Sequence, residues 1–571
     1  MHWADSIAKA LSHRGDKHVI ASGITPSGEF HIGHLREILT SDIIKRACWN
    51  SFDGKGQDTK FVFFVDDADP LRKVYSFLDE SYDQYIGHQL AKIPPPDENG
   101  MPDHARFEQG ISYANHFLEP FKQSLEILGV SIDEYIYNYD AYKSGKFAEV
   151  SRIACNRADE IREIIERVSS RELDENWFPW NPIDTNGCMD GLTVTGWEDP
   201  IVHWVDSDGN KGKSDVTKGE GKLPWRVDWP AKWAWRGITM EPFGKDHGAA
   251  GGSYDTGKEI VRLFDKEPPY PTTYEWISLK GAGAMSSSTG VTIGPQEALQ
   301  LVPPQIMRYL ITRNQPKRHI DFDTGTALIE LADEYQRNMT ETFRNPALED
   351  KEWWGKLSRR QQKAWKDMVA RIGYAQIDDV ISGSITRFTH DIDDSATTLY
   401  LDNQYFGLSK ITFRHLALLA QLRENDEDVW ESIQRSGLIH ENHEGPTQNE
   451  ILRLQLMRNW IASPHFPEGF RLRIQTELSD GAKENVDPRD VDYIRALRTS
   501  LADCEWNWVP INNHICEFAK EREMKLRDAF QLMYWIVLDQ SHGPKLASIL
   551  EEMDRNVVLD LLQLAIDELS P

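Results

Sequence analysis

Short apolar runs and helical spacings alternate through the first part of this chain, and a long helical pattern fills the last part. Val19-Ile20-Ala21 is an apolar run that breaks into Ser22-Gly23-Ile24-Thr25-Pro26-Ser27-Gly28, after which Ile32, Leu35, Leu39, Ile43 and Ala47 recur at three- and four-residue steps. That spacing predicts a strand, a glycine-bearing loop and a helix. Lys60-Phe61-Val62-Phe63-Phe64-Val65 predicts a second, fully buried strand, ending in Asp66-Asp67-Ala68-Asp69-Pro70. The stretch from His18 to about Ile93 therefore reads as α/β, with a break at Pro94-Pro95-Pro96. Residues 106–172 read as mainly helical, with amphipathic patterns around Phe117–Leu128 and Ile153–Val168. From Leu173 to Gly221 the pattern is irregular and rich in Trp, Gly, Asn and Asp, with short strands such as Ile201–Val205, which predicts a small inserted module. Four tryptophans crowd the span Trp225–Trp235 in a loop-like setting. Residues 326–571 are overwhelmingly helical, with breaks near Gly383, Gly437, Pro464, Asp487 and Pro510. No internal repeat or low-complexity tract interrupts them.

Composition narrows the class. A chain of 571 residues has room for three or four domains, and 40% hydrophobic with 27% charged residues is ordinary for a globular protein. The apolar runs Phe61–Val65 and Met533–Leu538 are far too short to span a bilayer. Residues 1–20 hold no apolar secretory core, so a cytoplasmic location without membrane association is expected. Cys48, Cys155, Cys188, Cys504 and Cys516 form no Cys-x-x-Cys pair, which argues against a disulfide framework and a cysteine-rich zinc site. The formal charge of −27 opposes indiscriminate nucleic-acid binding but leaves room for a local basic track.

The candidate chemistry begins at His31-Ile32-Gly33-His34, where the first loop hands over to its helix. A helix N-terminus at the carboxyl end of a parallel strand presents backbone N–H groups to phosphate. Two imidazoles three apart can lean toward the same anion, and Gly33 leaves space for a flat base. Asp66, Asp67 and Asp69 stand on the same sheet edge, suited to a substrate ammonium, the 3′ end of a nucleic acid or Mg²⁺, or else to capping a turn. About 250 residues later, Met285-Ser286-Ser287-Ser288 lies in a glycine-framed loop whose hydroxyls and N–H groups can hold phosphate oxygens.

Taken in order, these elements resemble the class I lysyl-tRNA synthetases, the type found mainly in archaea and some bacteria. The resemblance runs through Asp66–Val74, Lys222–Trp233, Glu241-Pro242-Phe243-Gly244-Lys245-Asp246-His247 with Gly251-Gly252, Pro303–Tyr309 and a C-terminal stretch ending in Gly543-Pro544. It implies a Rossmann-type parallel-sheet catalytic domain with a small inserted module, followed by an all-α C-terminal domain. On that plan residues 1–105 and 222–325 are the halves of the catalytic domain, 106–221 the helical segment and module, and 326–571 the anticodon-binding domain. It also implies a two-step reaction, in which lysine and ATP, with Mg²⁺ in the substrate complex, form lysyl-adenylate, and tRNA(Lys) then accepts the lysyl group.

By the same resemblance, His31, His34, Met285, Ser286, Ser287 and Ser288 are the catalytic elements. Pro26, Gly33, Ala284 and Lys245 bind ATP, while Gly23, Thr25, Trp225, Asp246, His247 and Tyr274 bind lysine. Ala284–Ser288 departs from the usual Lys-Met-Ser-Lys-Ser, because both lysine positions hold small residues. Lys280, Lys245 or Mg²⁺ could supply the missing positive charge. Asp228, Glu241 or Asp246 could pair with the substrate ammonium. Cys188 stands where relatives often carry paired cysteines, so no structural zinc is expected, and a monomer is the expected state. Basic residues interleave with aromatics at Arg359–Lys366, Arg453–Arg473 and Lys520–Arg527, as single-stranded anticodon reading would need. The alternatives are a glutamyl-type class I synthetase and a non-catalytic tRNA-binding paralogue.

Overall fold

The computed structural model describes residues 2–49, 57–280, 283–284, 293–342, 359, 411–438, 445–446 and 448–570. They divide into two compact units, one built on Met1–Leu299 and Pro304–Phe322, the other on Gln300–Pro303, Asp323–Thr340 and the helices from Phe413 onward.

The first unit is built on a five-stranded parallel sheet. Strand β1 (Lys17–Ile24) pairs with β2 (Asp58–Val65) in unbroken register, from Lys17 opposite Asp58 to Ile24 opposite Val65. Strand β3 (Glu134–Tyr137) lies beyond β2. The chain then crosses back to the other side of β1, where Met240–Gly244 and Tyr270–Tyr274 complete the sheet. Strand order therefore reverses between β1 and Met240–Gly244. In an open α/β sheet the carboxyl ends of the strands at that reversal frame a crevice. Strand β2 is buried along Phe61–Val65, as its unbroken apolar run requires.

Helix α1 (Trp3–Ser12) precedes β1, and helix α2 (Leu35–Trp49) follows it. Nearly every residue of α2 is buried, including its charged ones. Asp42 accepts from Arg46 (2.9 Å) and Arg308 (2.6 Å), and Lys45 donates to Asp133 (2.6 Å). Burial would push the Asp42 carboxyl up, but the two guanidiniums bring it down to about 2.

Two elements differ from the sequence reading. The segment expected to be mainly helical holds strand β3, whose four residues Glu134-Tyr135-Ile136-Tyr137 are too few to show an alternation. The tryptophan segment, read as loop-like, is the helix Trp225–Arg236, opened by Pro224 and closed by Gly237 in the left-handed conformation. Pro230 sits inside it.

The inserted module is a three-stranded antiparallel sheet of Thr193–Glu198, Ile201–Val205 and Lys211–Asp215. Its stem closes where Asn181–Pro182 pairs with Gly221–Lys222. Trp180, Val202 and Val216 share one apolar cluster with Ala21, Val62 and Phe64 of the main sheet, so the module packs into the core of this unit.

The second unit is helical. Val491–Asp503, Trp508–Glu521, Leu526–Leu538, Leu546–Glu552 and Arg555–Leu569 pack around Leu497, Leu501, Ile515, Met533, Ile536 and Leu562. Gly437 ends one helix with positive φ, and Asp487 caps the short turn Pro488–Asp490. Pro510, expected at a break, lies instead in the first turn of Trp508–Glu521, where its missing N–H costs nothing. The break near Gly383 and most of the first basic cluster lie outside the described residues. Within the second cluster, Arg453 and Trp460 are core residues, donating to the carbonyls of Ile411 and Thr324. Among the described residues no helix is long and apolar enough to cross a membrane.

Candidate active site

At the strand reversal lies a cavity of about 550 Å³, lined by Gly23 and Thr25 from the end of β1 and by His31, Gly33, His34 and Glu37 from the loop and α2. Gly244, Asp246, His247, Tyr274 and Trp276 close it from the other two strands. The expected residues Gly23, Thr25, His31, Gly33, His34, Asp246, His247 and Tyr274 thus meet in one place, although Gly23 and Tyr274 lie 251 positions apart.

The imidazoles of His31 and His34 lie 4.0 Å apart between ring centres. Burial pulls His31 down to about 4 and His34 to about 3, with the neighbouring His31 adding to the second shift. Both rings are neutral near pH 7. His31 Nδ1 accepts the Gly33 backbone N–H (3.1 Å), so the one imidazole proton resides on Nε2. His34 Nδ1 lies 3.1 Å from the His31 backbone nitrogen.

The backbone donors expected to cradle phosphate are engaged elsewhere. The N–H of Ile32 bonds to Ile293 (3.1 Å), and those of His34, Leu35 and Arg36 turn back to His31, Ile32 and Gly33. The tight turn that aims the imidazoles consumes the amides, leaving side-chain N–H groups to meet an anion. The space over Gly33, expected for a flat base, holds the His31 ring: a Cβ there would come within 2.6 Å of its Cε1 and Nδ1. Glycine is required at this position by its own neighbour.

A smaller cavity of about 90 Å³ adjoins the first and shares Gly23, Glu37 and His247 with it. Phe64, Trp225, Trp229 and Phe243 give it aromatic walls, and Lys232, Asp66 and Glu241 lie at its far side. Trp225, Trp229 and Trp233 stand four apart, on one face of their helix. Trp225 and Trp229 stack at 5.8 Å, and Trp225 lies 5.2 Å from the His247 ring. Trp233 donates to Glu241 (2.5 Å), whose carboxyl burial pushes up to about 7.

Glu37 stands between the two cavities. One carboxylate oxygen accepts from Ser22 Oγ (2.6 Å) and the Gly23 N–H (3.2 Å), and the other accepts from Tyr274 Oη (2.6 Å). Burial raises its carboxyl against these three hydrogen bonds. Sequence reasoning passed over Glu37, because an acid in the first turn of a helix already has a reason to be there, the helix dipole. The signal was its position three residues after His34, on the same face.

The other acidic candidates are occupied. Lys232 pairs with Asp66 and with Asp228 (2.7 Å), and Asp228 also accepts from Tyr142 (2.5 Å). Lys222 pairs with Asp69, and Asn138 donates to Asp66 (2.6 Å). Asp67 accepts the Tyr139 N–H (2.8 Å). Asp66 and Asp69 therefore belong to a buried ion-pair network, while Asp67 is held by a backbone N–H. Asp246 is half exposed, 3.6 Å from the His247 ring. Among the described residues, no cluster of three His, Cys, Asp or Glu could hold a metal.

Lys245 stands at the rim, with its ammonium 2.9 Å from Glu275 and 4.6 Å from the centre of the Trp276 ring. Pro26 is buried and does not line the cavity. Ala284 pairs through its backbone with Ser278, while Met285–Ser288 lie outside the described residues. Both flanks of that segment are anchored at the site, Ala284 beside Ser278 and Ile293 on the Ile32 N–H.

A doubly wound parallel sheet with paired imidazoles at its switch point is the architecture of a nucleotide-activating α/β enzyme, and comparison with known proteins narrows it further. The chain belongs to the family described as tRNA synthetases class I (K), whose match covers residues 1–363. It is 35% identical over 570 residues to the lysine–tRNA ligase of Archaeoglobus fulgidus, covering 99% of this chain and 100% of that one. The lysine–tRNA ligase of Picrophilus torridus is 34% identical, covering 98% of each. That of Methanosarcina barkeri is 45% identical over 350 residues, 60% of this chain and 62% of its own.

Proposed function

We infer that the protein is a lysine–tRNA ligase, which joins lysine to tRNA(Lys) at the expense of ATP. The observation that carries lysine as the substrate is Glu37. It sits at the mouth of an aromatic-walled branch, with both oxygens already oriented by Ser22, Gly23 and Tyr274. A side chain of four methylenes ending in an ammonium suits such walls and such a carboxylate. A glutamate side chain would meet the Glu37 carboxylate there. Among the described residues lining the branch, Lys232 is the one lysine or arginine, and it is already matched by Asp66 and Asp228.

The chemistry follows from the same placement. The lysine carboxylate attacks the α-phosphorus of ATP, pyrophosphate leaves, and lysyl-adenylate remains until the terminal adenosine of the tRNA accepts the lysyl group. Little covalent help is needed, so positioning and charge stabilisation dominate. The Nε2–H of His31 is suited to the charge that builds on the α-phosphoryl oxygens, with His34 beside it. No Lys or Arg is found among the described residues that line the larger cavity. Mg²⁺ travelling with ATP, Lys245 at the rim, Lys280 and the serines of Ser286–Ser288 are candidate sources of counter-charge and donors. The reading carries with it a monomer in the cytoplasm with tRNA(Lys) as its partner.

ATP–pyrophosphate exchange in the presence of tRNA tests it. Exchange with lysine and none with glutamate is the expected result. Exchange with glutamate alone, or with neither amino acid, overturns it.

A further inference from the structure

Lys222 and Asp69 form a buried pair that the reaction described above does not use, and the pair reaches the substrate cavity through one hydroxyl. Asp69 is held on one oxygen by Lys222, and its other oxygen accepts from Thr25 Oγ1 (3.1 Å). Both charged side chains are almost fully buried, 4% and 3% exposed. Thr25 lines the larger cavity but not the aromatic branch. Burial alone would push the Asp69 carboxyl up, but Lys222, supported by Lys232 and Arg72, reverses this and keeps it ionised.

An ionised carboxylate can only accept. Thr25 must therefore give its single proton to Asp69, and its oxygen shows the cavity lone pairs alone. A hydroxyl fixed in this way accepts from an ammonium and cannot donate to a carboxylate. The reacting carboxylate of the substrate has to lie near His31 and His34, so the α-carbon stays in the larger cavity while the side chain enters the branch toward Glu37. The group left facing Thr25 is the α-ammonium.

We propose that Asp69 and Lys222 are positioning residues that lock the Thr25 hydroxyl as an acceptor for the α-ammonium of the amino acid. The proposal rests on the lysine-activating reading above. It also gives the inserted module a reason to be rigid at its base. Lys222 follows Gly221, whose Cβ, if it had one, would come within 2.4 Å of Asn181 O and the Trp180 indole nitrogen, and the pairing of Asn181–Pro182 with Gly221–Lys222 closes that stem.

The test uses the full chain, with lysine as substrate and 6-aminohexanoate, which lacks the α-amino group, as competitive inhibitor of exchange. In Asp69→Asn, Lys222 still needs an acceptor and takes the amide oxygen, so the NH₂ turns to Thr25 and forces its proton into the cavity. In Lys222→Met, Asp69 loses the one cation bonded to it, burial outweighs the more distant Lys232 and Arg72, and the protonated carboxyl becomes a donor to Thr25, with the same result. Each variant is expected to raise KM for lysine about 10–100-fold, the usual weight of one charge-assisted hydrogen bond. The inhibition constant for 6-aminohexanoate and KM for ATP are expected to shift less than about twofold, within the range of changes remote from a contact. Should neither variant fold, Thr25→Val, which keeps the shape and loses the oxygen, is expected to show the same split, and Thr25→Ser to restore the preference for lysine. An equal rise for lysine and 6-aminohexanoate, or no rise for either, overturns the proposal and marks the pair as structural. Failure of the unmodified protein to activate lysine at all would instead overturn the underlying reading.

Discussion

On the proposed reading, the neutrality of His31 and His34 decides how this site meets phosphate. Two charged imidazoles 4.0 Å apart would repel each other, whereas two neutral ones can each offer a single N–H. His31→Ala is expected to lower kcat for lysylation about 10²–10³-fold, the range for loss of one aimed donor, measured under saturating ATP and lysine. The same burial sets a pH dependence of stability. In the unfolded chain a histidine protonates near its ordinary 6.5, while in the folded protein His31 waits until about 4. Between those values the unfolded chain binds more protons, so stability is complete above about 6.5 and is lost as pH falls toward 4. Melting temperature followed across that window is expected to fall more steeply in the natural protein than in His34→Gln. Glu37→Gln is expected to raise KM for lysine about 10–100-fold, by loss of a charge-assisted contact, with KM for ATP unchanged. A loss of stability with unchanged lysine affinity would return Glu37 to a structural role. His31 and His34 were legible because two histidines at a loop–helix junction are unusual. Glu37 was not, because helix propensity and dipole explain it equally well in one dimension.

At the scale of elements, the tryptophan helix shows how chemistry can hide a period. Trp225, Trp229 and Trp233 keep a four-residue spacing, but Trp235 and Pro230 interrupt the pattern on the other face. Trp235 packs instead against Phe147, with ring centres 5.2 Å apart. The helix wraps one aromatic face around the branch and buries the other, so no polar face remains to announce it. Strand β3 escaped notice for a simpler reason, its length. Helix α2 was read correctly from a few apolar positions, although its charged residues are buried as well, since Asp42, Lys45 and Arg46 find partners from other elements. Gly23 offers a test at this scale. A methyl there would lie 3.4 Å from Phe64 Cβ, an ordinary contact, yet it would protrude where β1 borders both cavities. Gly23→Ala is expected to change stability by less than about 0.5 kcal/mol, as a surface substitution would, while weakening lysine activation. A lowered melting temperature with normal kinetics would show that Gly23 serves packing.

For the whole molecule, the decisive feature is the crossing of the chain from β3 back to the far side of β1. It brings the end of Met240–Gly244 beside the end of β1, and so sets Asp246 and His247 against His31 and Glu37. Local patterns carried β1, β2 and α2; the crossing had no local signature and came only through resemblance. The pairing of Asp66 and Asp69 had no local signature either, since their lysine partners lie more than 150 positions away. A net charge of −27 means that a tRNA must be met by local cations against an overall repulsion. KM for tRNA is expected to rise steeply with salt while KM for lysine stays nearly constant; equal salt dependence of both would place no phosphate contacts in the complex. The most direct test of the account is a crystal structure with a non-hydrolysable lysyl-adenylate analogue, its phosphate replaced by a sulfamoyl group. The account places the ε-ammonium on the Glu37 carboxylate beside Tyr274, and the sulfamoyl oxygens within hydrogen-bond reach of His31 Nε2, at about 3 Å. An analogue bound with its ammonium on Asp246, or with the sulfamoyl group remote from both histidines, would contradict it.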